Sequence, residues 1–350
     1  MTTNLPTFAL VLETNNLRGG DGEDPERVVR SLVRLFRLLR AQTRSPDTLA
    51  EVILTHDGLS ESARHELSAA LGRQVRYLAI EPDTGYYEAK NRGFDATSAD
   101  VVAFADADCL PDPDWLERLL APFGDAAVKV VAGRTTYRDD VLGAAASAID
   151  FMYFPGPTGA DPAKVRDGGA TRNFYANNVA FRREVFARLR YSPAPGIYRG
   201  HCQRLGLALA AAGVSVLFVP EAHTVHRFPD SARELVRLRL LRGADTAEMA
   251  PSFADALLPP ALRWVGRAGP LSPLAVLGVR FALSQRALGH QGMKELRGPG
   301  RAAARAAIAG ISALDAAGAI GRSVLRADLG VRDGALVRGA LSYHRDHDGV

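Results

Sequence analysis

The chain has 350 residues, 47% of them hydrophobic and 23% charged, with a formal net charge of +4. Such a composition excludes wholesale disorder, a collagen-like fibre and a disulfide-stapled miniprotein, and so small a charge argues for no particular anionic partner. The two cysteines, Cys109 and Cys202, suit a reducing, cytoplasmic compartment and are too few for a cysteine-only zinc site.

The N-terminus has no basic region followed by an apolar stretch, so no signal peptide is read there. Phe8–Glu13 (FALVLE) is an apolar run of strand length. Val28, Val29, Leu32, Leu35, Phe36 and Leu39 then recur at helical spacing over residues 26–40. Arg27, Arg30, Arg34, Arg37 and Arg40 fall on the opposite face. They read as a solvated stripe, because no aromatic interleaving or nucleic-acid motif accompanies them. Residues 51–56 (EVILTH) predict a second strand, closed by Asp57-Gly58. A helix is expected over 60–72, a strand over 75–80, a helix over 86–97 and a strand over 101–105 (VVAFA). Apolar strands alternating with helices predict an α/β fold, a mostly parallel sheet lying between helices. Ligands bind such sheets beyond the carboxyl ends of the strands, where Asp57, Asp106 and Asp108 fall.

Further strand-like segments lie at 127–132, 174–181 and 214–219, around a Gly/Pro-rich stretch at 155–173 that is long enough to be a mobile loop. Beyond residue 229 the composition turns to Ala, Leu, Arg and Gly, and 231–350 reads as helices with loops at 250–260, 266–273 and 296–300. No window holds the roughly 18 uncharged apolar residues of a membrane span. The best run, 268–279, contains two prolines and is closed by Arg267 and Arg280. A soluble chain is expected, with the C-terminal helices as candidates for peripheral contact at the inner face of a membrane.

The most informative segment is 101–120. A buried strand delivers Asp106 and Asp108 to its tip, and a helix opened by prolines follows. Two carboxylates one residue apart can share a hard divalent cation such as Mn²⁺ or Mg²⁺. With its surroundings, this segment resembles a family 2 glycosyltransferase of the GT-A fold, and the likeness runs in order over residues 8–229. Thr14 follows the opening strand, with Glu13 and Asn15 where the family has proline and tyrosine. In EVILTHDG, His56 replaces the first aspartate of an Asp-Asp-Gly turn and Asp57 is kept. GYYEAKNRG (85–93), ATRNFYANNVAFRREVF (170–186) and FVPEAHTVH (218–226) resemble later family segments.

The resemblance implies two halves, a nucleotide-sugar-binding half at 1–108 and an acceptor half at 109–229, followed by a helical region at 230–350. It implies that Thr14 and Asp57 hold the nucleotide base and that Lys90 neutralises the diphosphate as a point charge. Asp106 would face ribose or metal, Asp108 the metal, and His226 would be a further ligand. The reaction would be inverting transfer of a sugar from a nucleoside-diphosphate sugar to a hydroxyl on a glycan, lipid or small molecule. The base departs from the pattern. Counting back from Gly213 puts Cys202 and His201 where the family has a Glu-Asp pair. Histidine is the better oxygen base of the two, so His201 is the candidate and Cys202 its neighbour in the catalytic position. Two other readings stay open: a protein that binds the donor but does not transfer, and a sugar nucleotidyltransferase. The latter is disfavoured because the loop after the first strand is net acidic.

Overall fold

Phe8–Glu13 forms β1, buried at every residue, as its unbroken apolar run requires of a strand covered on both faces. It pairs in parallel with β2 (Glu51–His56) on one side and β4 (Val101–Ala105) on the other, and β3 (Arg76–Ala79) extends the parallel set beyond β2. The computed structural model describes residues 6–14, 25–82, 84–153, 169–192, 200–288, 296, 298–324, 331–332 and 335–336. Most of the expected loop at 155–173, and the chain beyond 336, lie outside the described residues.

The second half of the sheet is mixed. β8 (Asn178–Arg182) runs antiparallel to β4 and to β6 (Val130–Thr136), and β6 pairs in parallel with β9 (Val216–His226). β5 (Cys109–Pro111) and β7 (Gly169–Thr171) pair antiparallel with β9. The mostly parallel sheet expected from sequence therefore describes its first four strands. Asn178 makes the crossing of β8, β6 and β9 possible: it is fully buried, accepts from Trp115 Nε1 at 2.9 Å and donates to Arg134 O and Ala222 O at 2.9 and 2.8 Å. With its amide groups bonded in this way, the polar side chain carries little burial cost.

Helices cover both faces. α1 (Pro25–Arg40) and α2 (Glu61–Leu71) pack on one side, where Leu32, Leu35, Phe36 and Leu39 meet Leu10, Leu12 and Leu54. Arg30, Arg34, Arg37 and Arg40 are all exposed, a solvated face as read from sequence. α3 (Tyr86–Asp95) and α7 (His201–Ala211) cover the other side. α4 (Trp115–Leu120), α5 (Val141–Asp150) and α6 (Arg183–Phe186) fill the joins.

The C-terminal region holds α8 (Ala232–Leu257), α9 (Ser272–Ala287) and α10 (Pro299–Ser323). Ser231 caps α8, accepting from Glu234 N at 3.2 Å. Contrary to the expected loop at 250–260, α8 continues through Pro251 to Leu257. Buried Met249, Ala250 and Ala254 flank the proline, and their packing outweighs its propensity to break a helix. Residues 331–332 and 335–336 pair as a short antiparallel ladder where helix was expected.

α8 and α10 approach closely. A Cβ on Gly243 would fall 1.9 Å from Asp315 O, and one on Gly318 2.0 Å from Leu240 O, so only glycine permits this contact. α10 is 25 residues long with a mean hydropathy of 1.3 over its best window, long and apolar enough by composition to cross a membrane, which the sequence reading did not anticipate. In this structure its buried face carries Ile308, Ile311 and Asp315, and Asp315 is paired with Arg239 of α8.

Candidate active site

The carboxyl ends of β1, β2 and β4 lie side by side, and β5 leaves the tip of β4 at once to pair with the end of β9. Register places Cys109 opposite His226. This brings Asp106, Asp108, Cys109 and His226 together, with one ligand atom from each within 4.8 Å of the others. Oδ1 of Asp108 is buried and accepts no hydrogen bond; His226 Nε2 lies 3.7 Å away. Burial, and secondarily the like charge of Asp106, raise the Asp108 pKa, while His226 opposes the shift. His226 Nδ1 lies 2.8 Å from Arg227 O, and a carbonyl only accepts, so Nδ1 is the donor there and Nε2 is the nitrogen that faces Asp108. Buried carboxylates beside an imidazole nitrogen suit a hard cation of the Mn²⁺ or Mg²⁺ kind. Cys109 is a poorer fit to such an ion: burial first, then Asp108 and Asp106, push its thiol pKa well up.

Asp106 is held from α3. Tyr86 donates to both its oxygens at 2.9 Å, and Lys90 donates to Oδ1 at 2.7 Å and to Ala105 O at 3.0 Å. Tyr86 keeps its proton, because burial and then the Asp106 charge raise its pKa well above the usual value. Lys90 is fully buried, and its ammonium group is committed to Asp106 and the β4 carbonyl. This differs from the point charge expected to face a diphosphate directly. The reason is the position of Lys90 on the inward face of α3, one helical turn after Tyr86.

Thr14 and Asp57 sit at the ends of adjacent parallel strands. Thr14 is buried and spends its hydroxyl on Thr55 O, 3.2 Å away. His56 Nδ1 accepts from Gly58 N and Leu59 N at 3.3 and 3.2 Å, shaping the turn that leaves Asp57 half-buried at the strand edge.

His201 and Cys202 open α7 after Gly200, whose φ of +97° is left-handed. His201 stacks on Tyr87 with centroids 4.3 Å apart, and burial, aided by Arg204, lowers its pKa to about 4. Cys202 lines the cleft with Asp106 and His226, but burial raises its pKa to about 11 despite contact with Tyr87. Neither accepts a proton well near neutrality, which argues against both as the base. For His201 the folded pKa lies below the reference value of about 6.5, so the unfolded chain binds its proton first as pH falls. This group's contribution to stability is intact above about pH 6.5 and is lost toward pH 4, a change of about 3 kcal/mol. Urea unfolding between pH 7 and 4 is expected to show that loss in the wild type and a smaller one in His201→Gln.

Several cleft residues were not picked from sequence. Tyr86 and Tyr87 line it from α3, Asp150 from the end of α5, Arg172 from the segment between β7 and β8, Arg242 and Asp245 from α8, and Arg280 from α9. The charges of α8 at 239, 242 and 245 recur every three residues among apolar neighbours. That spacing was the available sign of an inward-facing charged stripe.

The fold places paired carboxylates beyond the carboxyl end of β4, where open α/β sheets bind ligands. Residues 26–190 match the model of glycosyl transferase family 2. Two curated relatives align with it. Glycosyltransferase AglE of Haloferax volcanii is 27% identical over 154 residues, which is 43% of this chain and 46% of the relative. Validoxylamine A glucosyltransferase of Streptomyces hygroscopicus subsp. limoneus is 29% identical over 136 residues, which is 38% of this chain and 27% of the relative. The chain thus spans less than half the length of either. Among solved structures, the mannosyltransferase PcManGT from Pyrobaculum calidifontis, in complex with GDP-Man and Mn²⁺, superposes with a TM-score of 0.55 at 17% identity. That superposition covers 93% of this chain and 89% of that one, and it is a likeness of fold.

Proposed function

We propose that this chain transfers a sugar from a nucleoside-diphosphate donor to an acceptor hydroxyl with inversion, using Mn²⁺ or Mg²⁺ held by Asp106, Asp108 and His226. The observation that carries this reading is the set of ligand atoms gathered within 4.8 Å at the carboxyl end of β4. When bound, the cation would supply Lewis-acid stabilisation to the departing diphosphate. Tyr86 and Lys90 fix Asp106 so that its orientation does not depend on the ligand. Thr14 and Asp57, which follow the adjacent strands β1 and β2, would hold the nucleotide base. The Mn²⁺ and GDP-mannose of the PcManGT structure make those two the first probes, followed by UDP sugars.

Asp245 is the better placed base. It is a buried carboxylate on the α8 wall of the cleft. A Cβ on Gly200 would meet Met249 Cε at 2.5 Å, so the start of α7, where the family base belongs, rests one helical turn along α8 from Asp245. The acceptor oxygen would attack the anomeric carbon as its proton passes to Asp245, and the bond from that carbon to the diphosphate oxygen would break. Asp245→Asn is expected to lower turnover by about 10²–10⁴ with donor affinity retained, while His201→Gln stays within a few-fold. The reverse order of losses would return the role to histidine.

The transfer reading is tested by the release of nucleoside diphosphate from GDP-mannose and UDP sugars, with and without EDTA. Metal-dependent binding without release, on a range of acceptors, would favour the donor-binding alternative, which the substitutions at 201 and 202 keep in view.

The acceptor remains a glycan, lipid or small molecule. Two free, buried cysteines support a reducing, cytoplasmic setting. Contact with a membrane surface would fall on the segment 260–271, where Trp264 and Leu271 are 64% and 67% exposed beside Arg263 and Arg267.

A further inference from the structure

The cleft has two chemically different ends. Asp106 and His226, with Asp108 behind them, form the acidic, metal-binding end. The wall formed by the close of α5, by α8 and by α9 carries Arg242 and Arg280, and Arg172 lines the same cleft from the segment between β7 and β8. Arg242 pairs with Asp150, and Arg239 behind it reaches both Asp150 and Asp315. Those two carboxylates therefore serve Arg239 and Arg242. Arg280 is left with a hydrogen bond to Ile149 O at 3.4 Å and a place 5.3 Å from the Phe253 ring centroid. Burial first, and then Arg239 and Arg242, hold its pKa down at about 10 against the pull of Asp315 and Tyr175. Arg172 lines the cleft as well, and neither it nor Arg280 has a carboxylate within 4 Å among the described residues. Asp245 shares the wall and offsets one of these charges.

We infer that Arg172 and Arg280 form an anion-binding subsite at this end of the cleft, which takes a phosphate or carboxylate carried by the acceptor or by the transferred sugar. Guanidinium groups suit such ligands because their planar donors match two oxygens at once. The donor's diphosphate belongs at the metal end, so this subsite recognises a second negative group. That assignment of ends rests on the transferase reading, and on it an acceptor anchored here would present its hydroxyl beside Asp245. The subsite itself does not depend on metal.

Inorganic phosphate titrated calorimetrically into the full-length, metal-free protein tests the subsite directly. The wild type should bind it and gain thermal stability from it. Arg280→Gln and Arg172→Gln should each weaken binding about tenfold or more, whereas Arg280→Lys should keep most of it. Without phosphate, Arg280→Gln should melt no lower than the wild type, because it removes a cation that lacks a carboxylate partner, and this separates lost binding from lost folding. Equal phosphate affinity in the wild type and both glutamine variants, or no binding to the wild type, overturns the inference. Comparison of UDP-glucuronate with UDP-glucose in the presence of Mn²⁺ identifies the source of the anion. A preference for the uronate that Arg280→Gln abolishes points to the sugar; equal nucleotide binding, with phosphate still bound beside UDP and Mn²⁺, points to the acceptor. If no nucleotide binds with Mn²⁺, the transferase reading fails while the phosphate result still stands.

Discussion

Replacing Asp108 with asparagine is expected to abolish metal-dependent donor binding and to lower turnover by about 10³ or more, since a bound cation contributes several kcal/mol to a transition state that develops charge on a leaving diphosphate. The fold should survive the change. The carboxylate is disfavoured where it stands, by burial and then by Asp106, and its Oδ1 accepts no hydrogen bond. A neutral amide of the same shape removes that penalty. Asp108→Asn should therefore melt at or above the wild-type temperature without metal. Mn²⁺ should raise the melting temperature of the wild type and leave that of the variant unchanged. A variant still stabilised by Mn²⁺ would move the metal away from these residues.

Lys90→Met should cost stability rather than binding in the first instance. Lys90 and Asp106 form a buried pair with side chains 0% and 3% exposed. Removing one partner leaves an uncompensated charge, an effect of about 3–5 kcal/mol. Tyr86 continues to donate to Asp106, which places the loss toward the lower part of that range. Lys90→Met combined with Asp106→Asn should recover much of the stability, because both charges are then gone, while metal binding stays impaired. Urea unfolding of the two single variants and the double variant gives the coupling between the pair. Additive losses would show that the contact contributes little.

β1, β2 and β4 were legible because each is a short apolar run buried along nearly all its length, a pattern set by burial on both faces of a parallel sheet. The acidic cluster was legible for the same reason: Asp106 and Asp108 end an apolar strand, and only the tip of such a strand can carry charges. The antiparallel pairings of β8 and β5 were not, since they depend on contacts far apart in sequence, such as Asn178 with Trp115 and Cys109 with His226. Lys90 was found, but its direction was not, because the face of α3 that meets β4 is fixed only by packing. The base assignment depended on local order around Gly213, and the carboxylate proposed instead, Asp245, comes from α8, more than forty residues after His201. Pro251 likewise reads as a break and becomes part of a helix held by Met249, Ala250 and Ala254.

The measurement that bears most directly on the metal-dependent, nucleotide-sugar reading is a calorimetric titration of the full chain with GDP-mannose and with UDP sugars, in the presence of Mn²⁺ and again after EDTA. One of these donors should bind with Mn²⁺ and lose about tenfold or more of its affinity without it, as expected of a diphosphate held through a cation on Asp106, Asp108 and His226. Donor binding that is indifferent to Mn²⁺, or Mn²⁺ that binds equally well to Asp108→Asn, would contradict that account.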